Sequence, residues 1–163
     1  MNAIKIVICI LLLNSITGCK KAELPTQSEA PHHEHKAPHK GTPVELGEEE
    51  YHLELLLEPA TGVLRAYVLD GEMENFVRLK EEKFELVVND ATGGVQLTFK
   101  GVPNSATGER LGDTSLFEAQ SDWLKVHTNF EGKLMEIVIK GKRYSQVAFS
   151  FPKGNDHDGN TKQ

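Results

Sequence analysis

Alternation of apolar and polar residues with a period of two dominates the chain between residues 43 and 152. This period predicts strands whose side chains point alternately to the two faces of a sheet. Turn signals rich in Gly, Pro, Asn and Asp separate the runs at roughly ten-residue spacing. The pattern predicts about seven strands, which lie around residues 51–57, 64–68, 76–79, 84–88, 95–99, 135–139 and 147–151.

Hairpin-connected strands of this number predict an all-β domain, in the first place an antiparallel β-sandwich of the immunoglobulin-like kind. An open β-barrel is the alternative, because one sequence does not show the order of the strands. The one short helix is expected within residues 121–127, where Ser121 can act as its N-cap. Trp123 is expected to close one end of the sandwich. The predicted core aromatics are Phe84, Phe99, Phe117, Trp123, Phe130, Phe149 and Phe151.

The N-terminus carries eight consecutive apolar residues at positions 6–13. A membrane-spanning helix needs about 20, so this run fits the apolar part of a secretory signal. The following Ile16-Thr17-Gly18-Cys19 resembles a bacterial lipobox. That resemblance implies a signal peptide of residues 1–18 and a lipid on Cys19, which would anchor the chain in a membrane of the cell envelope, facing the periplasm. Lys20 in place of Asp favours the outer membrane if the host is Gram-negative.

Between the lipobox and the first strand, residues 19–42 contain three prolines and almost no bulky apolar side chains. Such a stretch cannot bury enough surface to offset the entropy of ordering it, so it is expected to be a disordered tether. Residues 153–163 lack apolar side chains and are expected to form a disordered polar tail. The predicted β-domain therefore covers residues 43–152.

Charge and composition exclude several classes of function. The chain has a formal net charge of −6, which argues against binding to the nucleic-acid backbone. Its two cysteines, Cys9 and Cys19, fall in the signal peptide and at the lipidation site, so no thiol remains for catalysis. No phosphate-binding glycine loop, nucleophile elbow or metalloprotease helix motif is present. The sequence therefore predicts a protein that is not an enzyme.

The densest polar cluster is a histidine tract of His32, His33, His35 and His39. Neutral imidazole binds Zn, Cu(II) and Ni, and a flexible chain can wrap several rings around one ion. The tract is also compatible with a solvated linker without a function, the commoner case for such segments, or with a pH-responsive tether. His52 and Glu54, on the polar face of the first long strand, are weaker metal candidates. Such a pair more often belongs to a solvated strand face.

Three runs of sequence suggest a family: residues 38–47, 51–55 and 66–71. They resemble segments of small uncharacterised bacterial envelope lipoproteins and the N-terminal segment of some periplasmic adaptor subunits of heavy-metal efflux pumps. In that family the tract before the domain reads Pro-His-Gly-Gly, and here Lys40 stands at the first of these glycines. The resemblance covers residues 38–151. It implies an envelope β-domain connected with metal handling, an efflux component as a partner, and no catalytic residues.

Two functions follow from these features. The first is a membrane-anchored accessory protein that binds a divalent transition metal through its histidine tract. The second is a structural or protein-interaction lipoprotein in which the tract has no metal role.

Overall fold

A computed structural model describes residues 36–155, which form one sheet of eight antiparallel strands curved into a nearly closed barrel. The strand order is β1-β2-β3-β6-β5-β4-β7-β8. The all-β prediction is confirmed, and the architecture is that of the alternative, an open barrel, rather than two facing sheets. The strands are β1 Thr42–Leu46, β2 Tyr51–Glu58, β3 Val63–Asp70, β4 Lys83–Asp90, β5 Gly93–Gly101, β6 Leu116–Gln120, β7 Phe130–Ile139 and β8 Lys142–Phe151.

Six of the predicted strands correspond to β2, β3, β4, β5, β7 and β8. The predicted strand at residues 76–79 is wrong, because Phe76 and Leu79 form only isolated bridges, to Leu69 and Thr114. Their neighbour Val77 and Leu79 itself are nevertheless buried, which accounts for the apolar alternation. The short strands β1 and β6 were not predicted.

The barrel interior is filled by alternate residues of all eight strands. In a barrel of eight strands the interior is just wide enough for side chains to fill it. Leu53 and Leu55 of β2 and Leu86 of β4 are almost completely excluded from solvent. Phe149 lies across Gly132 on the neighbouring strand, where an added Cβ would come within 2.1 Å of the ring. The predicted core aromatics are buried or pack against the buried cluster.

The two edge strands, β1 and β8, are joined by side chains at one end of the barrel. Asn155 Oδ1 accepts a hydrogen bond from the backbone N–H of Glu45 (2.7 Å), and Asn155 Nδ2 donates to the Glu45 carbonyl (3.2 Å). Gly154 packs against the carbonyl of Pro43. The ordered domain therefore continues past the predicted boundary at residue 152, at least to Asn155.

At the other end of the same seam, the turn between β1 and β2 lies over β8. The Tyr144 hydroxyl and the Lys142 ammonium both donate to the carboxylate of Glu50. Burial of the phenol and its hydrogen bond to Glu50 raise the pKa of Tyr144 well above its usual range. Side-chain contacts therefore hold the edges together at both ends of the seam.

Two 3-10 helices interrupt the strands, at Ser105–Thr107 and Asp122–Lys125. Ser121 caps the second through a hydrogen bond from the Trp123 N–H, as predicted. Leu124 is the residue of this helix that is fully buried, while Trp123 is partly buried against the core. Within the part of the chain that the structure describes, no helix is long and apolar enough to span a membrane.

Candidate functional site

The histidine tract runs into a short turn that covers the outer face of β2. The Lys40 N–H donates to the Ala37 carbonyl (3.0 Å), and Lys40 has a left-handed backbone with φ 60°. The next residue, Gly41, packs directly against β2. An added Cβ would lie 2.7 Å from Glu54 Cγ and from the Leu55 carbonyl oxygen. Residues 37–41, which were expected to belong to the tether, are therefore part of the folded domain.

Glu54 fastens this turn to the barrel. Its side chain has no exposure to solvent. Oε1 accepts hydrogen bonds from the backbone N–H groups of His39 (2.7 Å) and Gly41 (2.9 Å). Oε2 lies 2.8 Å from His39 Nδ1. An ionised carboxylate only accepts hydrogen bonds, so the proton of the neutral His39 ring is on Nδ1 and the lone pair is on Nε2.

Aromatic contacts fix the plane of the His39 ring. It stacks on Tyr67 with a centroid distance of 4.1 Å and an angle of 18°, and Phe76 lies 5.9 Å away. Tyr67 stands opposite Glu54 in the register of β2 with β3. The His39 side chain remains 36% exposed. The site thus holds one accessible imidazole in a single orientation, with Nδ1 directed at the Glu54 carboxylate.

The structure unites two of the predicted metal candidates, His39 and Glu54, although both oxygens of Glu54 are engaged by the turn. His52 is buried, and its Nδ1 lies 3.4 Å from the carbonyl oxygen of Asp70. We expected this pair to belong to a solvated strand face. That expectation is wrong, because both side chains are buried and residues 37–41 cover the face at Glu54. Cys19, His32, His33 and His35 lie outside the described residues.

Sequence reasoning missed Tyr67 and Phe76 as partners of His39. The sequence signal for them was weak: Tyr67 is an aromatic residue at an outward-facing position of β3, and Phe76 is an aromatic residue in the connection after that strand. Between residues 36 and 155 there is no cluster of three or more His, Cys, Asp or Glu side chains that could hold a metal ion. His39 is thus the one member of the tract whose surroundings the described residues show.

A second histidine takes part in a structural contact. His127 stacks on Trp123 at 4.1 Å and 7°, and its Nδ1 donates to the Trp123 carbonyl (2.7 Å). Its Nε2 lies 3.3 Å from Asp90 Oδ2. Hydrogen bonds from Thr92 and the nearby imidazole hold the pKa of Asp90 below its usual range. This cluster fastens the second 3-10 helix to the turn between β4 and β5.

A buried carboxylate organises the long connection between β5 and β6. The Glu109 side chain is only 6% exposed. Its oxygens accept hydrogen bonds from the Asn104 N–H (3.0 Å), the Thr114 hydroxyl (3.0 Å) and the Ser115 hydroxyl (2.8 Å). Burial alone would raise the pKa of Glu109, but these hydrogen bonds outweigh it and hold the pKa below its usual range.

Comparison with known proteins found no matching family model, no matching curated protein and no matching solved structure.

Proposed function

We propose that this chain is a lipid-anchored accessory protein of the cell envelope. It has no catalytic activity and binds a divalent transition metal, Zn, Cu(II) or Ni, through His32, His33, His35 and His39. The observation that supports the proposal is the contact of His39 with Glu54 (2.8 Å). One histidine of the tract is thereby a fixed part of the barrel.

The contact between His39 and Glu54 is of the kind that supports metal-binding histidines. A histidine that binds a metal through one ring nitrogen usually donates the other N–H to a carboxylate or carbonyl, which fixes its tautomer and makes it a stronger ligand. Glu54 is placed to do this for His39. A ligand that is already fixed also lowers the entropy cost of wrapping the remaining histidines around an ion.

Attachment to the membrane through a lipid on Cys19 would keep the tract at the envelope surface. The resemblance to segments of efflux adaptor subunits supports a partner of that kind, to which a captured ion could be delivered. Replacement of Cys19 by Ala should release the protein from the membrane or block its processing. Unchanged processing and membrane association of the Cys19→Ala protein would contradict the anchor.

Calorimetry with Zn(II), Cu(II) and Ni(II) tests the metal proposal. The protein without its signal residues should bind at least one of these ions with a Kd below about 1 mM. Replacement of all four tract histidines by Ala should abolish that binding. Weaker binding, or binding unaffected by the replacements, would contradict a metal role and leave the interaction lipoprotein as the remaining function.

A further inference from the structure

A groove lies on the outside of the barrel next to the His39 turn. It is bounded by the two longest connections in the described part of the chain, residues 71–82 and residues 102–115. Its volume is about 560 Å³, within the range of about 300–1,000 Å³ that is typical of small-molecule sites. Connections of this length in a small domain are uncommon and are often functional. We call this space the loop groove.

The walls of the loop groove are fixed in one arrangement. Leu79 and Thr114 form a bridge between the two connections, and Arg78 Nη2 donates to the Thr107 carbonyl (2.6 Å). Behind this contact, the buried Glu109 carboxylate holds both ends of the second connection. A buried carboxylate is tolerated only when its hydrogen bonds are satisfied, so this network allows little rearrangement. The groove is therefore formed before any ligand arrives.

One side of the loop groove is an aromatic surface. Phe76 is 50% exposed and lies 5.8 Å from Tyr67, whose ring is stacked on His39. Phe76 is one of three large apolar side chains in the described residues that are strongly exposed. The groove thus offers an aromatic surface, and its other lining residues apart from Leu116 are polar.

The polar wall offers both donors and acceptors of hydrogen bonds. Asn75 donates its amide N–H to Asp70 (2.7 Å), which leaves its amide oxygen as an acceptor. Asn104 accepts from the Ala106 N–H (3.0 Å) through its amide oxygen, which leaves its amide N–H groups as donors. Amides can serve in both roles at once.

Charge in the loop groove is balanced. The Arg78 guanidinium lies 3.3 Å from an oxygen of Asp113 and 3.7 Å from an oxygen of Glu109. Its positive charge is therefore compensated within the protein, and a charged ligand would gain no unpaired partner there. This balance favours a neutral ligand.

We infer that the loop groove binds a neutral saccharide. A sugar ring has a face of C–H groups that can lie on Phe76, and hydroxyl groups around its rim that donate and accept hydrogen bonds. It needs one apolar face and a mixed polar wall without net charge, which is the arrangement described above. This inference rests on Phe76 and the polar wall and not on metal binding, although His39 of the proposed metal tract also lines the groove.

Calorimetric titration of the detergent-solubilised full-length protein with the neutral trisaccharides maltotriose, cellotriose and tri-N-acetylchitotriose tests the inference. At least one trisaccharide should bind with a Kd below about 10 mM. Phe76→Ala should weaken that binding about tenfold or more, and Phe76→Tyr should retain it because the ring face remains. Leu111→Ala is the matched control, since Leu111 is 58% exposed and lies outside the groove.

Phe76 is half exposed, so Phe76→Ala should lower the thermal unfolding midpoint only modestly, through the lost contacts with Tyr67 and His39, and the protein should stay folded. Absence of binding by all three trisaccharides at about 10 mM would overturn the inference. Binding that Phe76→Ala does not weaken would also overturn it. A third contrary result would be binding of indole, used as a flat aromatic probe, in the absence of saccharide binding.

Discussion

Lys40 shows how one backbone angle shapes the turn that carries His39. With φ 60°, it adopts a left-handed conformation that costs residues other than glycine about 1–2 kcal/mol. A left-handed residue at this position turns the chain so that His39 reaches Glu54. A lysine here leaves the turn in place and adds strain to it.

Lys40→Gly should stabilise the protein by up to about 1 kcal/mol, because the relief of strain exceeds the gain of freedom in the unfolded chain. Urea unfolding measures the change. Lys40→Ala is the control, since alanine keeps the strain and should not stabilise. A Lys40→Gly protein no more stable than Lys40→Ala would contradict the strained turn.

Glu109 is the most consequential single side chain of the long connections. Glu109→Gln would place an amide N–H₂ among groups that donate to the carboxylate, so it should destabilise the protein by about 2–3 kcal/mol. Glu74→Gln, which removes the same charge at an exposed position, should change the free energy of unfolding by less than about 0.5 kcal/mol. Equal losses of unfolding free energy in Glu109→Gln and Glu74→Gln would contradict this prediction, because they would attribute the effect to the lost charge and not to the buried hydrogen bonds.

At the scale of elements, long strands were predictable and short or covered ones were not. β7 and β8 have ten residues each, and apolar residues alternate over five residues of each strand, 135–139 and 147–151. β1 and β6 have five residues each, with two apolar positions that alternate, so no periodic signal can build up. Residues 76–79 alternate because Val77 and Leu79 are buried in the core although they belong to a connection. Alternation of apolar and polar residues indicates which side chains are buried. A segment is a strand only if its backbone also pairs with a neighbouring strand.

The candidate site escaped sequence reasoning for a related reason. Glu54 occupies the polar face of β2, and the segment that covers it, residues 37–41, has the composition of a linker. Hydrogen bonds from two backbone N–H groups of this segment to Glu54 hold it on the barrel. Amino-acid composition does not reveal such bonds. His39 could be nominated as a metal ligand from the tract alone, but its carboxylate partner could not be identified.

The seam between β1 and β8 gives a prediction about element pairing. Asn155 makes two hydrogen bonds to the backbone of Glu45 at the edge of β1, in place of a strand ladder. Asn155→Ala should lower the free energy of unfolding by about 1–2 kcal/mol. Lys153→Ala, at an exposed position in the same segment, should have little effect. Equal unfolding midpoints for Asn155→Ala and the wild type would contradict the role of this contact.

For the whole molecule, several carboxylates have pKa values that are lowered in the folded state. Burial alone would raise the pKa of Asp70, but hydrogen bonds from residues 74 and 75 outweigh it and lower that pKa. The pKa values of Asp90 and Glu109 are also lowered. A lowered folded-state pKa contributes stability above the unfolded value of about 4, and this stability is lost as pH falls through the folded value.

Stability to urea should therefore be steady near neutral pH and fall steeply below about pH 4. The Glu109→Gln protein should show a shallower fall, because one of the contributing groups no longer titrates. A wild-type protein whose stability rises on acidification below about pH 4, or an unchanged slope in Glu109→Gln, would contradict this account.

His39, the last histidine of the tract, lies against Glu54 of the barrel. The central claim is that this carboxylate prepares His39 to bind metal through Nε2. Glu54→Gln tests it with little change of shape. The amide oxygen that this substitution introduces can accept both backbone N–H groups, while the new N–H₂ donates to His39 Nδ1 and moves the ring proton to Nε2.

The decisive measurement is the Zn(II) affinity of the wild type and of Glu54→Gln by calorimetry, with unfolding midpoints to confirm that both proteins are folded. Glu82→Gln is the control for the lost charge, at an exposed position just before β4. We expect Glu54→Gln to weaken Zn(II) binding about 10–100-fold and Glu82→Gln to leave it unchanged. Equal affinities for the wild type and a folded Glu54→Gln protein would contradict the claim.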